Sequence, residues 1–274
     1  MKKLAFCAAA AAVCGSLLAV ESANIVGYVT ETITKDSFAM IGVQFESTSS
    51  TEMTLEQLIK GDITPVTYDW DSEEAFNTAN MIEVYTGNNS YDFYYYIADG
   101  WDDSLNNGEG DYFTGWCDAF GYKATVTLAP GDAIWFKART GDVTITTPGQ
   151  VYAGATEIVV PNGQFQMFAY DKPVLLDLND ATQVTYANCT AVTYDWDSEE
   201  AFNTANMIEV YAGSNAYEFY YYIADGWDDS LNNGEGDYFT GWCDGFGYKQ
   251  STKVPVARGM WAKGRQGEFT IQFK

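Results

Sequence analysis

The chain has 274 residues, with 38 acids against 14 bases and no histidine. A net charge of −24 repels phosphate backbones and anionic membranes, so nucleic acid is not expected as a partner. The lack of histidine removes the commonest general base, the Ser-His-Asp and Cys-His arrangements, and most zinc and iron sites.

Residues 1–22 read as a signal peptide. Lys2 and Lys3 form a positive start, Leu4 to Val20 is apolar, and cleavage is predicted after Ser22. No later run approaches the length of a membrane span, so no membrane insertion is expected once the leader is removed. The expected location is the cell exterior or cell surface, with the periplasm as the alternative. Three cysteines remain beyond the leader: Cys117, Cys189 and Cys243. None lies in a C-x-x-C pair, and an odd number allows at most one internal disulfide.

Asn24 to Thr32 alternates and is β-branched, and Phe38 to Phe45 is short and apolar, so both are predicted strands. Thr54-Leu-Glu-Gln57 opens a short helix with a capping box, and Gly61 is its expected stop. Ser72 to Phe76 has room for one helical turn. Met81 to Tyr85 and Tyr91 to Ile97 flank Gly87-Asn88-Asn89-Ser90, a hairpin with a four- or five-residue turn. Ala133 to Lys137 and Val143 to Thr146 are predicted to form a second hairpin around Thr140-Gly141-Asp142. Thr147-Pro148-Gly149-Gln150 reads as a turn-rich boundary.

Val66 to Lys123 returns as Val192 to Lys249 at an offset of 126, with five differences over 58 positions. The flanks align weakly: Trp135, Lys137, Arg139 and Gly141 match Trp261, Lys263, Arg265 and Gly267. The predicted layout is a first β-domain over 23–149 and a second over 150–274, with near-identical centres at 66–123 and 192–249. The fold class is all-β: two tandem homologous β-sandwich or partly open barrel domains with one short helix.

The opening Asn24-Ile-Val-Gly-Tyr-Val-Thr30, the aromatic strand into Trp101 and the Leu128-Ala-Pro-Gly-Asp-Ala-Ile-Trp-Phe136 segment resemble a loose set of secreted bacterial all-β proteins. The likeness implies secretion and a β-fold and carries no activity. The second half departs from it at Val254-Pro-Val-Ala-Arg-Gly-Met-Trp261, where the Pro-Gly turn is missing.

Two constellations carry candidate chemistry. Asp99, Asp102, Asp103, Glu109 and Asp111, repeated as Asp225, Asp228, Asp229, Glu235 and Asp237, crowd Gly/Asn-rich segments with no base among them. Such oxygens suit a hard cation, so calcium is the candidate cofactor, weighed against a solvated acidic loop. Along Tyr91 to Ile97, alternation places Tyr91, Phe93, Tyr95 and Ile97 on one face, with Tyr94 and Tyr96 on the other. Tyr94, Tyr96 and Trp101, with Tyr220, Tyr222 and Trp227, are candidate ligand-stacking residues, weighed against burial of both faces. The expected function is a non-enzymatic binding or structural protein of the cell surface or matrix, acting by self-association or by contact with surface glycans. The alternatives are a calcium-supported carbohydrate-binding protein and, third, a glycoside hydrolase built on paired carboxylates.

Overall fold

The computed structural model describes residues 26–68, 74–104, 112–194, 200–214, 216–228, 238–249 and 252–274. The predicted leader lies outside these residues. The chain is all-β. Strands Phe38–Gly42, Ala133–Lys137, Met81–Gly87, Ser90–Trp101 and Val66–Thr67 lie in that order in a six-stranded sheet, and Tyr112–Cys117 pairs with Ser90–Trp101. A second sheet orders Val26–Ile33, Val143–Val151 and Phe45–Glu46, with Lys60–Gly61 also on Val143–Val151. Ile41, Phe45, Leu55, Ile82, Phe136 and Ile145 fill the space between these sheets.

The second half repeats the six-stranded order with Phe165–Ala169, Gly259–Lys263, Met207–Gly213, Ala216–Trp227 and Val192–Thr193, plus Tyr238–Cys243. Its facing sheet holds Glu157–Val160, Phe269–Phe273 and Val184–Ala187. Phe168, Ile208, Met260, Phe269 and Phe273 form the core between them.

The two six-stranded sheets also meet each other. Met40, Ala133, Trp135, Met167, Ala169, Tyr211 and Trp261 form a separate buried cluster drawn from both halves. This explains the continuous apolar run of Phe38–Gly42: Ala39 and Ile41 face the first core, while Met40 faces the other half. The seam carries backbone bonds in matching places. The Gly42 amide donates to the Ala257 carbonyl at 2.8 Å, and the Ala169 amide donates to the Gly131 carbonyl at 2.8 Å. A Cβ on Gly42 would lie 2.5 Å from the Ala169 Cβ, so the approach requires glycine. Arg258 ties the same seam to Glu31 at 3.0 Å.

The capping box forms as predicted: Gln57 N donates to Thr54 Oγ1 at 3.3 Å and Thr54 N donates to Gln57 Oε1 at 2.9 Å. The helix spans Leu55–Leu58, and Lys60–Gly61 is already strand, so Gly61 is not its stop. Two more short helices, Glu74–Thr78 and Glu200–Thr204, raise the total among the described residues to three rather than one.

Three local expectations are corrected. The first hairpin closes with two residues, not four or five: Gly87 pairs with Ser90, and Asn88 and Asn89 take φ of 51° and 58°. Two positive φ values match the right-handed twist of the flanking strands, and asparagine tolerates them. Ala133–Lys137 and Val143–Val151 do not pair with each other. They belong to opposite sheets, and the corner is pinned by Asn80 Oδ1, which accepts from the amides of Arg139 at 2.8 Å and Thr140 at 3.3 Å. Thr147 to Gln150 is strand, in register with Val29 to Val26. Pro148 fits there because only Tyr28 opposes it, the partners on the other edge stopping short of it.

Candidate functional site

The acidic segment folds around its own chain. Ile97 pairs with Gly115 and Gly100 with Phe113, which leaves one extra residue in the Ser90–Trp101 strand. Asp99 sits in that bulge with φ of 60°, an angle that aspartate adopts more readily than most residues. Asp102 is buried, and the base absent from its local sequence arrives from Lys123, whose Nζ lies 2.7 Å from Oδ2. The amide and hydroxyl of Ser104 donate to Asp102 Oδ1 at 3.0 and 2.6 Å. The Lys123 hydrogen bond and then those from Ser104 hold the Asp102 carboxyl down at about 2. Asp228 and Lys249 repeat the pair at 2.6 Å. Asp103 accepts from the Trp101 indole N–H. Asp118 Oδ1 accepts from the amides of Phe120 and Tyr122 at 2.8 and 3.0 Å, and Asp244 does the same for Phe246 and Tyr248.

Among the described residues no three His, Cys, Asp or Glu side chains converge on one point. Glu109, Asp111, Asp229, Glu235 and Asp237 lie outside the described residues. Asp225 matches Asp99, with φ of 59°. Cys117, Cys189 and Cys243 are free, and burial pushes each thiol up to about 12. None of the described helices is long and apolar enough to cross a membrane.

The aromatic candidates separate into two groups. Tyr94 and Tyr96 pack on the first core, and Tyr96 meets buried Trp116 edge-on at 5.2 Å. Tyr220 and Tyr222 pack likewise on the second core, Tyr222 lying 5.3 Å from Trp242. Burial raises the pKa of Tyr94, Tyr220 and Tyr222. These four therefore do not share a solvent face with the tryptophans. The period-two alternation places the rings correctly, and the Tyr94 and Tyr96 face is the one that meets the core.

Trp101 and Trp227 are placed differently. Trp101 pairs with Tyr112 on one side and forms a parallel bridge with Tyr122 on the other. Partners opposite each other in a sheet share a face, so Tyr112, Trp101 and Tyr122 form a row across two strands and a bridged segment, with Trp101 meeting Tyr112 edge-on at 5.6 Å. At one strand spacing per step the row spans about 10 Å. Tyr112 and Tyr122 are 49% and 47% exposed, and Trp101 is part-buried. On the opposite face Lys123 spans from Asp102 to the Phe113 ring, 5.6 Å from its centroid, and clamps the three segments together. Tyr238, Trp227 and Tyr248 repeat the row. Tyr112 and Tyr122 were not among the sequence candidates. The signal was present as one aromatic in each of the three segments that meet at Trp101, but their lateral alignment is a tertiary fact.

A second aromatic feature lies at the seam. Phe38, Glu83, Trp135, Tyr211 and Tyr217 line a cleft of about 290 Å³. Asn89, Tyr91, Trp135, Phe165, Glu209, Tyr217 and Trp261 line another of about 220 Å³. Glu83 and Glu209 occupy matching places, each opposite the tryptophan of the adjoining strand. Burial raises both carboxyls, with Lys137 and Arg139, or Arg265 and Lys263, pulling them partly back. These glutamates were missed in the sequence because they look like ordinary polar residues of an alternating strand. Comparison with protein-family models, curated proteins and solved structures gives no match for the chain.

Proposed function

We propose that this chain is a secreted or cell-surface binding protein without catalytic activity, and that each half presents one binding row. The observation that carries the reading is the lateral row Tyr112, Trp101 and Tyr122, repeated as Tyr238, Trp227 and Tyr248. Trp101 meets Tyr112 edge-on at 87°, and Trp227 meets Tyr238 at 88°, so the row offers ring faces and edges in turn on a clamped sheet. Exposed rings of this kind suit the apolar faces of saccharide rings, and the other carboxylate oxygen of Asp103 beside Trp101 supplies a hydrogen-bond acceptor. The favoured ligand is a surface or matrix glycan. Two rows per chain make binding to a polymeric glycan bivalent.

A glycan array followed by calorimetry on the leader-free chain tests this. Saturable binding is expected, weakened by Trp101→Ala or Trp227→Ala and abolished by both together. Binding that survives the double variant, or no saturable binding, removes the proposal.

A structural role through self-association is favoured by one further observation. Phe120 and Phe246, in matching places, are 73% and 75% exposed. Sedimentation at rising concentration would show oligomers that Phe120→Ser with Phe246→Ser disperses.

A further inference from the structure

The two clefts at the seam differ from the exposed rows in shape and charge. Trp135 and Trp261 are only 9% and 8% exposed. Tyr211 meets Trp135 at 78°, and Phe38 meets it at 85°. Tyr85 and Phe165 meet Trp261 at 87° and 81°. Phe38, Trp135 and Tyr211 line one concave corner, and Phe165 and Trp261 line the other, whereas the rows lie on an open sheet surface. The clefts are small beside a typical small-molecule pocket, which favours a compact group.

Each corner also holds a carboxylate. Glu83 and Glu209 are part-buried, and neither makes a direct hydrogen bond or ion pair among the described residues; Lys137 and Arg139, or Arg265 and Lys263, offset their charge only from a distance. An unpaired carboxylate is costly in such a place, and a cation against it would lower that cost. The walls already hold cations of the chain itself: Lys137 Nζ lies 4.7 Å from the Phe38 centroid and Lys263 Nζ 4.5 Å from that of Phe165. A net charge of −24 draws cations toward the whole surface.

We propose that these clefts are a pair of binding sites for a substituted ammonium group. The cation lies in the corner formed by tryptophan and tyrosine, with Glu83 or Glu209 as its counter-charge. Aromatic faces attract such cations through their quadrupole, and the alkyl substituents fill the apolar space. Lys137 and Arg139, or Lys263 and Arg265, are the like charges that a ligand must tolerate. They bias the sites toward a single compact cation. The exposed rows play no part in this inference, so it stands or falls separately from glycan binding.

Calorimetry on the full chain tests it, with choline as the probe and 3,3-dimethylbutan-1-ol as its uncharged isostere. Choline is expected to saturate two sites per chain, and the alcohol to bind at least about tenfold more weakly. Glu83→Gln with Glu209→Gln keeps the side-chain shape and is expected to weaken choline about 3- to 30-fold. Lys137→Met with Lys263→Met is expected to strengthen it. Circular dichroism on each variant shows that the fold is retained. Equal binding of choline and the alcohol, indifference to the glutamine variants, or no saturation by choline would each overturn the proposal.

Discussion

The Trp135 indole meets the Tyr211 ring edge-on, 4.8 Å between centroids, and Tyr85 meets Trp261 in the same way at 4.9 Å. Tyr211 and Trp261 stand 126 positions after Tyr85 and Trp135, so each half gives its tyrosine to the other's tryptophan. The Tyr85 hydroxyl also donates to the Phe165 carbonyl at 2.9 Å. Trp261→Ala is expected to cost about 3–5 kcal/mol, because it empties a buried volume bounded by both halves. Tyr85→Phe removes that bond and the one the hydroxyl accepts from the Asn89 amide at 3.3 Å, and is expected to cost about 1–2 kcal/mol. Urea unfolding measures both. A Trp261→Ala loss below that of Tyr85→Phe would mean that the seam contributes little.

The sequence departs at Ala257, where the first half has Gly131. The turn survives: Ala257 takes φ of 60° against 101° for Gly131. A left-handed alanine is strained, so Ala257→Gly is expected to raise stability by about 1 kcal/mol. Gly131→Ala should lower it, since the new Cβ would lie 2.6 Å from Thr156 Cγ2. Melting temperatures moving in opposite directions would bear this out. Equal shifts would contradict it.

The Asp102–Lys123 pair predicts an acid response. Asp102 is held down at about 2 in the folded chain, below the ordinary aspartate range. Its contribution is therefore complete above the ordinary value and fades as pH falls toward about 2. Asp102→Asn is expected to cost about 1–3 kcal/mol at neutral pH and to flatten the stability curve over that acid window. Urea midpoints from pH 6 to pH 2 check it. A variant curve parallel to that of the parent would refute it.

Asp102, Asp103 and Asp118 already have partners within the fold, so calcium removal is expected to leave the melting midpoint unchanged. Asp102 is tied to Lys123, Asp103 to an indole, and Asp118 to two amides. Thermal melts with excess calcium and with EDTA decide. A midpoint several degrees higher with calcium would place a site among the remaining acids and revive the calcium-supported reading.

Local chemistry was readable in the sequence, and long-range pairing was not. The Thr54–Gln57 capping box depends on neighbours within four residues, and it forms. The alternation of Tyr91 to Ile97 also holds. Which face was core could not be read, because both faces carry aromatics: Tyr94 and Tyr96 meet the first core, while on the other face Tyr91 meets the seam, Tyr95 and Ile97 join a small cluster with Phe76, and Phe93 is exposed. Val143 to Thr146 looked like the return arm of a hairpin because its partner, Val26–Ile33, lies more than a hundred residues away. The aligned pair Trp135 and Trp261 was visible, but nothing local showed that they face each other's half.

The reciprocal contacts across the seam are those of an isologous dimer, in which one patch meets its own copy. Here the two copies share one backbone, so their association does not weaken on dilution. A shared backbone also permits what a true homodimer forbids, namely different residues at the two equivalent places. Ala257 against Gly131 and Gly259 against Ala133 are such differences, lying beside the backbone bonds that join the halves. The molecule is in effect a covalent dimer that is free to lose its symmetry one residue at a time, and its two halves can diverge in sequence without parting.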